Sequence, residues 1–358
     1  MNKILSVIVP TYNMENYLHK CLGSLLVSEK NRESLEVLVV NDGSKDSSSQ
    51  IAHEYEDKYP QIFKVIDKEN GNYGSCINRG LKEATGKYVK VLDADDCYVP
   101  ETLDKFLEYL QYIDVDFIIN DFLVMDEYGA VTETYTFDLP TDSLFTLCDI
   151  PSAMISWLWH HAITYRTSIL QEIKYRQTEG ISYTDDEWVF MPMIKVESVA
   201  YFPYVLYNYL YGREGQTFDP RVLISSFSQR VAVVKSMAEY YTWISDKMSA
   251  AQQYFMTEKL LRRTVVLYYF YLSREYSNEG NEVLKEFDLF IRQQVPDIYD
   301  MLGQYKDRIT GYRIIKGWRE SHYTSTWYLQ GRRFLTKVGF LLGKSRRNLH
   351  MPEKLRRK

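Results

Sequence analysis

Three aspartates stand within four residues directly after an apolar segment. Asp93, Asp95 and Asp96 follow the apolar run 88–92. Carboxylates this close repel one another unless a cation or a polar partner neutralises them. A hard divalent cation is the simplest solution, since it takes oxygen ligands and commonly bridges carboxylates to phosphate oxygens. The alternative is that these acids cap the helix expected after Pro100, but the order of strand and acids favours a metal site.

Two earlier apolar runs also end in polar residues. Pro10-Thr11-Tyr12-Asn13 follows the first run, and Asn41-Asp42-Gly43-Ser44 follows the second. In an open parallel sheet, ligands bind at the carboxyl ends of the strands, so these loops are candidates for one binding site. Asn-Asp-Gly-Ser is also ordinary turn and helix-capping chemistry, and taken alone it favours that interpretation.

The elements that must position these loops are strands and helices in alternation, which predicts an α/β fold with a Rossmann-like, mostly parallel sheet. The apolar runs predict strands at 5–9, 36–40, 63–66 and 88–92. The segments between them predict helices at 14–26, 46–58 and 73–85, the last with a Thr85-Gly86 C-cap. A helix after Pro100, a hairpin at Tyr128-Gly129 and a helix at 187–196 follow.

The chain of 358 residues is longer than one hydrophobic core usually supports. We expect a domain at 1–219, with a nucleotide-binding half at 1–100 and an acceptor half at 101–219, and a helical C-terminal region at 220–358. Periodic runs at 222–247 and 250–273 indicate helices in that region. The cysteines form no C-x-x-C pair, which favours reduced thiols. The N-terminal apolar run is too short for a signal peptide or a membrane span.

The net charge of -5 is spread unevenly. From Lys306 onward there are 15 Lys or Arg against 3 Asp or Glu, and 332–358 combines basic with apolar residues. Such a segment can lie on an anionic membrane surface, or it can pack on the acidic body of the protein, and both interpretations stay open. Nucleic acid binding is not expected, because no recognisable module accompanies the charge.

Four segments in series give the chain its resemblance to a known family. SVIVPTYN, VLVVNDGSKDSS, ENGNYGSCINRGLKEATGKYVKVLDADD and SYTDDEWVF stand in the order and spacing of the inverting family 2 glycosyltransferases, which have the GT-A fold. The resemblance covers about residues 1–211. It implies transfer of a hexosyl or N-acetylhexosaminyl unit from a nucleotide diphosphate sugar, in this family most often a UDP-sugar, with inversion at the anomeric carbon.

The resemblance also implies roles for individual residues. The metal, Mn²⁺ or Mg²⁺, would be held by Asp95 and Asp93, and Asp96 would touch the sugar or the metal. Arg213 lies in a glycine-containing segment that would close over the diphosphate; a plain solvated loop is the alternative. The residues expected at the nucleotide are Pro10, Thr11, Tyr12, Asp42, Asn70, Gly71, Asn78, Asp93, Ala94 and Asp95.

An inverting displacement needs a general base, because an acceptor hydroxyl is a poor nucleophile until its proton is removed. The resemblance places Asp185 in that role, with Asp186 as the second candidate because three acids stand in a row there. Trp157 and His160 lie where relatives contact the acceptor. His160 and His161 are adjacent, are expected to point in different directions and lack metal-ligand spacing, so they are interpreted as packing or acceptor residues.

The function that the resemblance implies is glycosyl transfer to a glycan or a lipid-linked glycan, in cell-surface polysaccharide synthesis. The expected location is the cytoplasm, at the inner face of the membrane if the basic tail binds lipid. Two alternatives remain: a protein that binds a nucleotide sugar without turnover, and a nucleotidyltransferase. The second would need a glycine-rich signature with a basic residue near the N-terminus, which PTYN does not supply.

Overall fold

The computed structural model describes residues 3–213, 216, 222, 225–274, 278–306 and 311–324. The chain separates into two compact units, Met1–Lys259 and Leu260–Lys358. The expected domain boundary at 219/220 stays a prediction. Among the described residues, no helix has both the length and the apolar composition needed to cross a membrane.

The first unit is built around one sheet. Its strands are β1 (Leu5–Thr11), β2 (Leu35–Asn41), β3 (Phe63–Asp67), β4 (Tyr88–Val91), β5 (Cys97–Tyr98), β6 (Phe117–Met125), β7 (Val131–Tyr135), β8 (Ile163–Arg166) and β9 (Val199–Leu210). Their order in the sheet is β3-β2-β1-β4-β8-β6-β9-β5, and β7 pairs with β6.

The half formed by β1 to β4 is parallel, as predicted. The helices that connect these strands are α1 (Glu15–Gly23), α2 (Ser48–Lys58) and α3 (Asn72–Glu83). Residues such as Val7, Val37 and Val39 are fully buried, because strands in this half are covered on both faces. The predicted strands and helices are therefore confirmed here, with differences at their ends.

The other half of the sheet is mixed, so only the half formed by β1 to β4 is parallel throughout. β8 lies antiparallel between β4 and β6, whereas β9 runs parallel to β6. The register of β6 against β9 shifts on both sides of Asp121. β6 and β7 form the predicted hairpin.

The helices of this half are α4 (Pro100–Tyr112), α5 (Ser152–Ile155), α6 (Thr167–Glu172) and α7 (Asp185–Phe190). The helix expected at 187–196 begins earlier, at Asp185, and gives way to a 3₁₀ segment, Met191–Lys195. Pro192 accounts for the change, because proline lacks the backbone N–H that an α-helix would use there.

The C-terminal region is helical, as predicted, with α8 (Phe227–Trp243), α9 (Ala250–Arg274), α10 (Asn278–Gln294), α11 (Pro296–Gln304) and α12 (Ile314–Glu320). In the second unit, α10 and α12 are joined by polar contacts inside the core. Arg319 donates to the buried Asp288 over 2.7 Å, and the Trp318 indole donates to Asn281 over 3.1 Å. The predicted basic tail, 332–358, lies outside the described residues.

Gly86 has a different role from the C-cap expected for it. α3 ends at Glu83, and its C-cap residue is Ala84 in an extended conformation. A Cβ atom on Gly86 would lie 2.5 Å from the backbone nitrogen of Ser6 and 2.8 Å from the carbonyl carbon of Leu5. The glycine therefore allows the chain entering β4 to pass close to the start of β1.

We expect Gly86→Ala to lower the free energy of unfolding by about 1–3 kcal/mol, because the added methyl group must displace backbone. Urea unfolding followed by circular dichroism measures this. Gly23→Ala is the control, since its Cβ would lie 3.5 Å from the Tyr55 hydroxyl, an ordinary contact. Equal midpoints for Gly86→Ala and wild type would contradict the close-approach explanation.

Candidate active site

The three polar loops singled out in the sequence meet at one edge of the sheet. Thr11 at the end of β1 pairs with Asn41 at the end of β2, and Asp42 donates its backbone N–H to the Thr11 carbonyl over 2.8 Å. The backbone N–H of Leu92 donates to the Ile8 carbonyl over 3.0 Å, which places the end of β4 on the other side of β1. This edge is the carboxyl end of the parallel strands, as predicted.

Asp42 organises the loop that leads into α3. Its buried carboxylate accepts the backbone N–H groups of Gly71 (3.0 Å) and Asn72 (2.9 Å) and forms an ion pair with Lys68. Asn70 donates its side-chain amide to the Asp42 carbonyl over 3.0 Å. These contacts hold the loop in one conformation, with Asn72 at a φ of 69°.

The remaining residues predicted at the nucleotide differ in exposure. Tyr12 is 45% exposed at the rim, whereas Thr11 and Ala94 are buried and Pro10 is half-buried. The side chain of Asn78 contacts another segment: its amide donates to the Gln177 carbonyl (2.8 Å) and accepts the Gln177 backbone N–H (2.8 Å). Direct contact of these residues with a nucleotide stays a prediction.

Asp93, Asp95 and Asp96 form one compact cluster, with an oxygen from each carboxylate within 4.8 Å of the others. Each has partners from a distant part of the chain. The hydroxyl of Tyr73 donates to Asp93 (3.0 Å), the guanidinium of Arg213 donates to Asp95, and Asp96 accepts from the Tyr207 hydroxyl (2.6 Å) and the Leu210 backbone N–H (2.7 Å). The helix-cap interpretation of this cluster is not supported by these contacts.

The pKa values of the three aspartates separate according to these partners. Burial by itself would raise the pKa of Asp93, but the neighbouring His160, together with Tyr73, outweighs burial and lowers it. Burial raises the pKa of Asp95, and Arg213 offsets only part of the effect. Burial, followed by repulsion from the other two aspartates, raises the pKa of Asp96 well above the ordinary carboxyl range. The raised pKa values of Asp95 and Asp96 show that the cluster favours bound positive charge, which a proton or a metal cation can supply.

His160 and His161 lie side by side, with ring centroids 3.9 Å apart, so the expectation that they point in different directions is wrong. His160 reaches the acid cluster, where its Nε2 atom lies 3.1 Å from Asp93 Oδ2. Asp93 and both histidines also place ligand atoms within 4.8 Å of one another, a second grouping that could hold a metal ion. His161 packs on Tyr207 and Tyr209, with centroids 4.7 and 4.5 Å away.

A buried lysine holds this pair of histidines in place. Lys90 on β4 donates to the Asn120 side chain (2.9 Å) and to the carbonyls of His161 (2.9 Å) and Ile163 (3.0 Å). Burial lowers the pKa of Lys90 well below its usual value. The three acceptors use the three N–H donors of the ammonium group, which fixes the turn before β8 against β4.

Asp185, at the start of α7, faces the acid cluster across His160. Its Oδ2 atom lies 3.8 Å from His160 Nδ1, and its side chain is 39% exposed. Asp186 is buried, and the carboxylate of the fully buried Glu187 binds Thr178. Of the three acids in this run, Asp185 is therefore the one that combines solvent access with a position beside the cluster.

Aromatic side chains line the region beside His161. The rings of Phe122 and Tyr135 are stacked at 4.5 Å, Trp159 lies 5.2 Å from Tyr135, and Trp157 lies 6.0 Å from Tyr135. Trp157 and Trp159 are half-buried. Such half-exposed rings can stack on a sugar ring or serve the core, and the expected acceptor contact of Trp157 stays a prediction.

Sequence reasoning missed several residues that bind the site together: Lys68, Tyr73, Lys90 and Tyr207. Lys68 had a weak signal, because it precedes the Asn70-Gly71 pair by two positions. Lys90 stood out as a charged residue inside a strand otherwise read as apolar. Tyr207 carried no signal among the 31 tyrosines of the chain.

Comparison with known proteins identifies the family that these motifs resemble. Residues 6–137 match the profile of Glycosyl transferase family 2. Among curated proteins, the chain is 37% identical over 121 residues to the uncharacterized glycosyltransferase MG060 of Mycoplasma genitalium, covering 33% of this chain and 41% of that one. It is 28% identical over 217 residues to the uncharacterized glycosyltransferase YibD of Escherichia coli, covering 57% and 60%. The chain thus spans less than two thirds of these relatives.

A solved structure extends the similarity beyond the matched domain. A fragment of S. aureus TarS, residues 1–349, crystallised with UDP-GlcNAc, superposes with a TM-score of 0.70 over 95% of this chain and 92% of that one. The identity is 21%, so the likeness shows a shared fold. It includes C-terminal residues outside the range of the sequence resemblance.

The raised pKa of Asp96 gives a pH-dependent prediction for the metal-free protein. The folded protein keeps this carboxyl protonated over a range in which the unfolded chain has lost the proton, so its contribution to stability falls as pH rises through that range. Asp96→Asn removes this contribution. We expect the stability of the variant relative to wild type, from urea unfolding in EDTA, to increase between about pH 4 and about pH 8.

The size of that change follows from the linkage of protons to folding, at about 1.4 kcal/mol per unit of pKa shift. Tyr207→Phe is a useful comparison, because it removes the hydrogen bond to Asp96 and keeps the carboxyl group. A stability difference between Asp96→Asn and wild type that stays constant across the pH range would contradict the assignment.

Proposed function

We propose that this chain, whose residues 6–137 match the Glycosyl transferase family 2 profile and whose fold is shared with the TarS fragment, transfers a monosaccharide from a nucleotide diphosphate sugar to an acceptor hydroxyl. One observation carries the proposal. The Asp42 loop, the acid cluster and Asp185 lie at one edge of the sheet, with His160 between Asp93 and Asp185 at 3.1 and 3.8 Å. A donor site, a cation site and a base are the three parts that such a transfer needs.

The donor is proposed to bind at the ends of β1 and β2, with Asp42 and Tyr12 against the nucleoside and Asn70 and Gly71 near the diphosphate. The rigid loop around Asp42 supports this, because preformed backbone groups bind a ligand without a further ordering cost. UDP-GlcNAc is bound by the TarS fragment of similar fold, so UDP-sugars are the first donors to test. The sugar of the donor is to be identified by testing different UDP-sugars.

The acid cluster fits a divalent cation such as Mn²⁺ or Mg²⁺. Asp93 and Asp95 supply hard oxygen ligands, and burial raises the pKa of Asp95 despite the neighbouring Arg213. When bound, the cation supplies positive charge to the departing diphosphate. Arg213, beside Asp95, can add a donor to the same phosphate oxygens, and Asp96 holds β9 in place through Tyr207 and Leu210.

Asp185 is proposed as the general base. It removes the proton from the acceptor hydroxyl as oxygen attacks the anomeric carbon on the face opposite the leaving group, which inverts the configuration. His160 Nδ1 lies 3.8 Å from Asp185 Oδ2; burial would lower the pKa of His160, but Asp93 and Asp185 raise it. The acceptor ring would lie against Trp157 and its aromatic neighbours.

The acceptor is proposed to be a glycan or a lipid-linked glycan used in building the cell surface. The same proposal includes action at the inner face of a membrane, where the basic and apolar residues of 332–358 would bind anionic lipid. That segment lies outside the described residues. If the experiments below show binding of a nucleotide sugar but no turnover, they would support the alternative of a protein that only binds the sugar nucleotide.

A thermal-shift panel tests donor and metal together. Nucleotide diphosphates and their sugars, each with Mn²⁺, Mg²⁺ or EDTA, should raise the melting temperature when they bind the folded state, and tighter binding at the same concentration should raise it further. We expect the largest shift with a UDP-sugar plus metal, and we expect Asp95→Ala to lose the metal-dependent part. A metal-dependent shift in Asp95→Ala as large as that of wild type would remove Asp95 from the proposed metal site.

Turnover distinguishes Asp185 from its neighbour. We expect Asp185→Asn to lower kcat by roughly 10²–10⁴, the usual contribution of a general base, while nucleotide affinity stays near wild type. Asp186→Asn is the matched control and should keep most of the activity, because Asp186 is buried. The reverse result would assign the base to Asp186. The anomeric configuration of the product, measured by proton NMR, checks inversion.

A further inference from the structure

A turn at residues 176–180 lies between the donor loop and the helix that carries the proposed base. This 176–180 turn precedes α7 by a few residues, and it contacts α3 and the loop before it on its other side. None of its residues was assigned a role above.

Toward α3, the turn is held by hydrogen bonds that involve its backbone. Asn78 donates to the Gln177 carbonyl and accepts the Gln177 N–H, both over 2.8 Å. The Gly180 N–H donates to the Gly71 carbonyl over 2.9 Å. Gly71 is the residue whose own N–H is bound by Asp42, so the turn is fastened to the loop that Asp42 organises.

Gly74 brings the two segments into direct backbone contact. A Cβ atom at Gly74 would lie 2.0 Å from the carbonyl oxygen of Thr178 and 2.9 Å from its carbonyl carbon. No side chain fits there unless the turn moves. The close approach of α3 to the turn therefore requires a glycine at position 74.

Toward α7, the turn is held by a buried carboxylate. Glu187 is fully buried and accepts both the backbone N–H and the hydroxyl of Thr178, each over 2.8 Å. The fully buried Gln177 side chain donates to the Thr184 hydroxyl over 2.9 Å. Thr184 directly precedes Asp185, and Glu187 follows Asp185 by two residues. The turn therefore forms hydrogen bonds with residues on both sides of the proposed base.

We propose that Thr178 is a positioning residue that sets the place of Asp185 relative to the donor. This inference rests on the proposed function and deepens it. Thr178 meets α3 through its carbonyl group and α7 through its N–H and hydroxyl, so one residue connects the donor loop to the base. An inverting attack needs the base within hydrogen-bond reach of the acceptor, and a shift of about 1 Å can cost about 10²-fold in rate.

The test compares Thr178→Val with Thr178→Ser. Valine has the shape of threonine and keeps the backbone N–H that donates to Glu187, but it lacks the hydroxyl donor, whereas serine keeps both. We expect Thr178→Val to lower kcat at least about tenfold, with the affinity for UDP, measured by calorimetry, within about twofold of wild type. Thr178→Ser should restore most of the rate. Arg176→Gln, in the same turn, changes a side chain that is 75% exposed and should match wild type.

A purely structural role for Thr178 predicts a different pattern. Thr178→Val would then lower the melting temperature while kcat for the folded protein stayed within about twofold of wild type, or it would weaken UDP binding as much as it lowered kcat. Either result overturns the proposal. Equal rates for the valine and serine variants would do so as well, because they differ at the hydroxyl that binds Glu187.

Failure of the proposed function can be recognised separately. If the wild-type protein transfers no sugar from any donor in the panel, the function fails, and amide hydrogen exchange still decides whether Thr178 holds the segment of Asp185. We expect Thr178→Val to speed exchange at 184–190 and at 71–78 together, and Arg176→Gln to leave both unchanged. Unchanged exchange at 184–190 in Thr178→Val would show that the turn does not hold α7.

Discussion

Three carboxylates crowded at the end of β4 are the constraint on which the rest of the site depends. Their mutual repulsion in a buried setting has to be compensated, and each partner comes from a distant part of the chain: His160 and Tyr73 for Asp93, Arg213 for Asp95, and Tyr207 with the Leu210 N–H for Asp96. Most of these partners lie on or next to β8 and β9, in the second half of the sheet. The mixed strand order therefore matters for the site, because β9 brings Tyr207 and Leu210 back beside the end of β4.

A second buried charge supports the first. Lys90 lies on β4, just before the acids; among the described residues it binds three oxygen acceptors, namely the Asn120 side chain, the carbonyl of His161 and the carbonyl of Ile163 at the start of β8. Removing water from an ammonium group costs free energy, which a complete set of hydrogen bonds can offset. The position of His160 between Asp93 and Asp185 is the result of that fixed turn.

The sequence predicted well those features that depend on neighbours along the chain. The parallel strands of the first half, their helices and the meeting of the 10–13, 41–44 and 93–96 loops at one edge followed from apolar periodicity and from the geometry of parallel sheets. The C-cap at Gly86 was wrong for an instructive reason. A glycine after a helix has two common uses, a left-handed cap or a close approach, and only the position of β1 distinguishes them.

By itself, the sequence determined the class of fold, the acid cluster and the run of acids that contains the proposed base, because these are local patterns of residue type and spacing. Only the tertiary structure decided which side chains compensate the aspartates, which acid of 185–187 faces the cluster, and that Asn78 contacts the 176–180 turn. Those contacts join residues separated by as many as 118 positions, as between Asp95 and Arg213. Hydrogen bonds and charge pairs are set by distance in space, and no local pattern in the sequence reports a contact made across the fold.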